Sequence, residues 1–169
     1  MDTSLIGFQG LPELFNIHPI FVHFPIVLFP VSLFFYFLAW VTQKDGIGTS
    51  AQILLLLGLL SAIIATITGL LAKESFPHDE VIHHIMQTHE KMAYLILSAG
   101  GVLFAWSFFK KQNHPRFFPA FIMIFSGLCL TIFLSADLGG RMVFLHGASV
   151  KTAAPEPENH EHEHHHTHD

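Results

Sequence analysis

The sequence predicts an all-α, integral-membrane four-helix bundle of up-down-up-down topology, followed by a disordered C-terminal tail. Three observations carry this: a shortage of charge, four long apolar runs, and short polar connections between them. Of 169 residues, 51% are hydrophobic, Phe alone contributes 18, and only 12% are charged. A soluble domain carries about 25% charged residues because water must wet its surface. Here the few charges cluster between apolar runs, so lipid is the expected solvent. The length suits a single domain.

The elements follow in chain order. Residues 1–16 lack a basic stretch ahead of an apolar one, so no cleavable signal peptide is expected and the first helix directs insertion. Residues 17–150 form the transmembrane domain. Crossing the hydrocarbon layer takes about 20 apolar residues. Four runs meet that length, from Pro19 to Val41, Ala51 to Ala72, Ile85 to Phe109 and Phe117 to Leu138. In lipid each must be helical, because every backbone polar group needs an internal partner. Pro19 stands where its missing N–H is harmless, while Pro25 and Pro30 lie inside the first helix as kink sites that a bundle tolerates. The segment TQKDGIGTS is a polar turn, KKQNHPR a short connection, and Gly139-Gly140 the expected end of the fourth helix. Short loops imply antiparallel neighbours.

Ser61, Ala65 and Gly69 form a small-residue stripe on the second helix, and Ser98 to Gly101 offer a similar face on the third. Both read as packing surfaces that let helices approach closely.

Basic residues set the orientation. Lys44, Lys110, Lys111 and Arg116 gather on one side with only Asp45 against them, whereas Lys73, Lys91, Arg141 and Lys151 fall on the other. The positive-inside rule makes the first side cytoplasmic, which places both termini outside. The net charge of −5 lies largely in the tail. There is no basic patch, which excludes nucleic-acid binding. The single cysteine, Cys129, leaves no intrachain disulfide.

The 14 histidines are the informative feature. His18 and His23 open the first helix, His78, His83, His84 and His89 lie before and within the start of the third, and His146 follows the fourth. Alternating helix directions bring all seven to one side of the membrane, leaving His114 on the other. His23 is about 7.5 Å beyond His18, and five residues turn the helix by about 500°, so the two side chains point about 140° apart. They cannot share one ion comfortably. Singly, each reads as an interfacial residue satisfied by water, backbone or headgroups. Gathered from several helices, they point to a cofactor or metal held in the bundle. No HExxH, CxxC, Ser-His-Asp or glycine-rich phosphate motif is present, so no reaction is assigned.

The run His18-Pro-Ile-Phe-Val-His23-Phe-Pro-Ile resembles the opening signature of a bacterial membrane family known as domain of unknown function 2231, which begins with HP and then VHFP. That family ends with an LGG–V–HG segment, and Leu138-Gly-Gly-Arg-Met-Val-Phe-Leu-His146-Gly147 is similar to it. His89-Glu90 looks like the family's remaining histidine position. The resemblance covers residues 14 to 150. It implies a four-helix domain of the bacterial inner membrane that holds haem b, with His18, His23, His89 and His146 as axial ligands for one haem or two. Arg141 is then a candidate partner for a propionate, and equally a helix C-terminal cation. Phe21, Phe24, Met142 and Phe144 are candidates for an apolar pocket wall. Two axial imidazoles leave iron no open position, which favours electron transfer. His83 and His84 lie outside the recognised pattern and remain alternative metal ligands.

From Ala153 onward, prolines, charge and the lack of apolar residues predict disorder over residues 151–169. His160, His162, His164, His165, His166 and His168 alternate in part with glutamates and could wrap zinc, copper or nickel. Three functions follow as expectations. The first is a b-type cytochrome exchanging electrons with a quinone or a redox protein. The second is a membrane protein that handles a transition metal through the tail, and the third is a structural subunit of a membrane complex. The bilayer is the expected partner in all three, and a homo-oligomer is compatible with each.

Overall fold

A computed structural model describes residues 17–75, 80–111, 114–115 and 117–147. The expectations for residues 1–16, for His78 and for the tail fall outside these residues. The described residues form four helices: α1 (His18–Thr42), α2 (Asp45–Ser75), α3 (Glu80–Trp106) and α4 (Phe118–Phe144). Between α3 and α4, β1 (Lys110–Lys111) pairs antiparallel with β2 (His114–Pro115), a two-residue ladder that closes the polar connection. Each helix packs on the next and α4 returns to α1, giving the up-down-up-down bundle.

Helix ends depart from the sequence expectation where polar residues turn out to be helical. The connection from α1 to α2 is only Gln43 and Lys44, with Gln43 in the left-handed conformation (φ 54°) and its N–H on Ala39 O. The rest of the expected turn forms the first turns of α2. Asp45 lies where an acid is favourable near a helix N-terminus, and the Thr49 and Ser50 hydroxyls fold back on the Asp45 and Gly46 carbonyls. Gly139-Gly140 does not end α4, which continues to Phe144; the left-handed glycine is Gly147 (φ 65°). Both Pro25 and Pro30 lie within an unbroken α1.

By length and composition α1, α2 and α4 can cross a membrane. The expected third span is different. The first half of α3 carries His83, His84, Gln87, His89, Glu90 and Lys91, so α3 completes the bundle without matching the other three in apolar length. Phe29, Tyr36, Leu55, Leu103, Phe121 and Phe125 fill the centre and are almost wholly buried. Outward faces remain apolar, with Val27, Phe34, Ile53, Leu71 and Leu130 exposed. In water such a surface would aggregate; in lipid it is already solvated. Close approach of α1 and α2 uses Gly58, where an added Cβ would lie 3.3 Å from the Phe29 ring. Gly100 brings α3 equally near that ring.

A histidine pair on carbonyl cradles

At the end of the bundle where α1 and α3 begin, the rings of His18 and His89 lie 6.1 Å apart, centroid to centroid, with planes 86° to one another. They come from different helices, and each is oriented by a third and fourth. His18 Nδ1 donates to the Ala65 carbonyl of α2 at 2.8 Å, with Thr68 Oγ1 at 3.4 Å. His89 Nδ1 donates to the Ser135 carbonyl of α4 at 2.9 Å, with Ser135 Oγ at 3.1 Å. A carbonyl can only accept, so the proton belongs on Nδ1 in each ring. In the neutral tautomer the lone pair is then on Nε2. Fixing Nδ1–H on a main-chain carbonyl is how proteins orient imidazoles that serve as metal ligands.

The two cradles are built alike. Gly69 follows Ala65 by four residues, and Gly139 follows Ser135 by four. Helical Cβ atoms tilt toward the N-terminus, so a side chain at position i+4 would lie over the carbonyl at i. Glycine there leaves the carbonyl open to a donor from another helix. A Cβ on Gly69 would come 3.0 Å from His18 Cε1, and one on Gly139 3.7 Å from His89 Cε1. The small-residue stripe therefore positions a ring as well as packing helices.

One residue beyond His89, Glu90 pairs with Lys73 of α2 at 2.8 Å and accepts a hydrogen bond from Tyr94 at 3.2 Å. Lys73 stands one turn past Gly69, so a single face of α2 touches His18 and holds the start of α3.

The other sequence candidates are placed apart from the pair. His23, His83, His84 and His146 are exposed, with His83 Nε2 2.9 Å from Gln87 Nε2. Arg141 forms an exposed ion pair with Asp137 on its own helix, 2.6 Å long. Phe24 and Phe144 are also exposed. Among the described residues no three His, Cys, Asp or Glu side chains gather into a group that could hold a metal ion. Cys129 is buried in the core. The tail histidines, from His160 to His168, lie outside the described residues. Ser135, Gly139, Thr68 and Glu90 were not among the sequence candidates. Their one legible signal is the small-x-x-x-Gly spacing shared by Ala65–Gly69 and Ser135–Gly139.

Residues 14–152 match the family described as predicted membrane protein (DUF2231), and the chain belongs to that family. No curated protein and no solved structure matches it.

Proposed function

We propose that this member of the DUF2231 membrane family holds one b-type haem between His18 and His89, near the extracytoplasmic face, and carries electrons in the membrane. The observation that carries the reading is the pair of imidazoles from α1 and α3, each with Nδ1–H fixed on a helix carbonyl. The donor set fits the group. A haem would ask the protein for two nitrogen ligands, and His18 and His89 would supply them. With metal–nitrogen bonds of about 2.0 Å, two imidazoles on opposite sides of one ion have ring centroids about 6 Å apart, and the observed spacing is 6.1 Å. A zinc ion held by protein alone takes four ligands in a structural site, or three with a water.

When bound, the haem supplies a one-electron couple. The residues of the chain do the rest. Ala65 and Ser135 hold the Nδ1 protons, which would raise the basicity of the Nε2 atoms that would hold the haem. With His18 and His89 both engaged, the haem would be suited to electron exchange with a quinone or a redox protein. Arg141 can reach a propionate only in competition with Asp137.

The test is a reduced-minus-oxidised visible spectrum of the purified protein. The expected result is Soret and α bands of a bis-histidine haem, lost in His18→Ala and in His89→Ala but retained in His23→Ala and His146→Ala. No haem bands even after haem supplementation would refute the reading. Stoichiometric zinc, copper or nickel in that protein would assign the pair to metal handling instead. Absence of any cofactor, with partners unchanged by the His18 and His89 substitutions, would favour a structural subunit.

A further inference from the structure

The Ala65 carbonyl that holds His18 faces more donors than it can serve. A carbonyl oxygen carries two lone pairs. Ala65 lies within α2, where one of the two takes the helical N–H of Gly69, four residues on. One lone pair is left, and two side chains reach for it. His18 Nδ1 is 2.8 Å away. Thr68 Oγ1, which donates, is 3.0 Å away.

Thr68 has a second outlet for its proton. Its hydroxyl lies equally far from Ile64 O, at 3.0 Å; threonines within helices fold back in this way on the carbonyls of the preceding turn. With equal distances the single proton is divided between Ile64 and Ala65 in a three-centre bond. Thr68 is buried, so solvent does not draw that proton away. The hydroxyl oxygen also faces His18 Nδ1, but at 3.4 Å. That is beyond the span of about 2.7–3.2 Å for an ordinary N–H···O bond. Thr68 is therefore a poor acceptor for the ring and a competing donor at the ring's own acceptor. The other cradle differs. Ser135 Oγ is 3.1 Å from His89 Nδ1, close enough to accept from the ring directly.

We propose that Thr68 is a positioning residue for His18: by sharing the Ala65 carbonyl, its hydroxyl weakens the hydrogen bond that His18 Nδ1 donates to it. A weaker bond at Nδ1 makes Nε2 a weaker donor to a metal, which raises the potential of an iron bound there. That consequence rests on the haem reading above; the competition for the carbonyl does not. Thr68→Val keeps the shape of the side chain and removes the hydroxyl, and Thr68→Ser restores it. Full-length protein carrying isotope-labelled histidine, in detergent and under dithionite, gives the Nδ1–H proton resonance of His18, assigned by its loss in His18→Ala. The expected result is a downfield shift in Thr68→Val, the mark of a stronger hydrogen bond, together with a lower midpoint potential of the proposed haem. Thr68→Ser should return both to the native values. An unmoved resonance overturns the proposal and confines Thr68 to packing. An upfield shift also overturns it, because Thr68 would then be accepting from the ring. A downfield shift in a protein without haem bands upholds the competition and sinks the haem reading alone, while a downfield shift with an unchanged potential overturns the link to Nε2.

Discussion

A methyl group at position 69 would collide with the His18 ring, 3.0 Å from Cε1 and 3.2 Å from Nδ1, whereas at position 139 it would make ordinary contact with His89 at 3.7 Å. Two substitutions of identical chemistry should therefore differ in sign. Gly69→Ala is expected to displace the ring and destabilise the protein by about 1–3 kcal/mol, with a shifted or broadened spectrum of the proposed haem. Gly139→Ala relieves a helical glycine and should be neutral, or stabilising by up to about 1 kcal/mol. Thermal melts of the two variants in one detergent, read alongside their visible spectra, test the contrast. Ser135→Ala removes only the hydroxyl at 3.1 Å and leaves the carbonyl at 2.9 Å. It should keep the spectrum, and a full loss would mean that the hydroxyl, not the main chain, orients His89.

Between elements, the Lys73–Glu90 ion pair joins α2 to α3 beside the histidine pair. Both side chains are about one-third exposed, at 33% and 27%, so its coupling energy should be modest, about 0.2–1 kcal/mol. A double-mutant cycle with Lys73→Met and Glu90→Gln measures it. If the pair also sets the spacing of α2 and α3, each single variant should shift the midpoint potential of the proposed haem without its loss; unchanged potentials would confine the pair to stability. The elements also show what the sequence could and could not convey. Apolar length disclosed α1, α2 and α4, because lipid leaves a backbone no other choice, while α3 is helical with a polar first half. Helix ends differ from expectation where Asp45, Thr49 and Ser50 resemble a turn but form the first turns of α2, with the two hydroxyls back-bonded to helix carbonyls. The 140° offset separated His18 from His23, yet spacing alone could not say which of them faces α2. Ser135 and Gly139 were hidden for a different reason: a small residue that presents a carbonyl looks the same in sequence as one that merely packs.

For the whole molecule, sidedness has a direct test. In a Cys129→Ala background, a membrane-impermeant maleimide added to intact cells should label His146→Cys and spare Lys44→Cys. The reverse pattern would invert the bundle and place the histidine pair at the cytoplasmic face. Removal of residues 153–169 should leave the spectrum of the proposed haem unchanged while lowering any bound zinc, copper or nickel, which separates the tail from the proposed bundle site. The two cradles also bear on how the protein tolerates change. Their acceptors are main-chain atoms, which no side-chain substitution can delete, so the instruction that aims each imidazole is stored in the rotational phase of α2 and α4. Point changes that stay small at positions 65 and 135 should pass unnoticed. One residue inserted into α2 ahead of Ala65 turns everything after it by about 100°, and that shift would carry the carbonyl away from His18 with no contacting side chain altered.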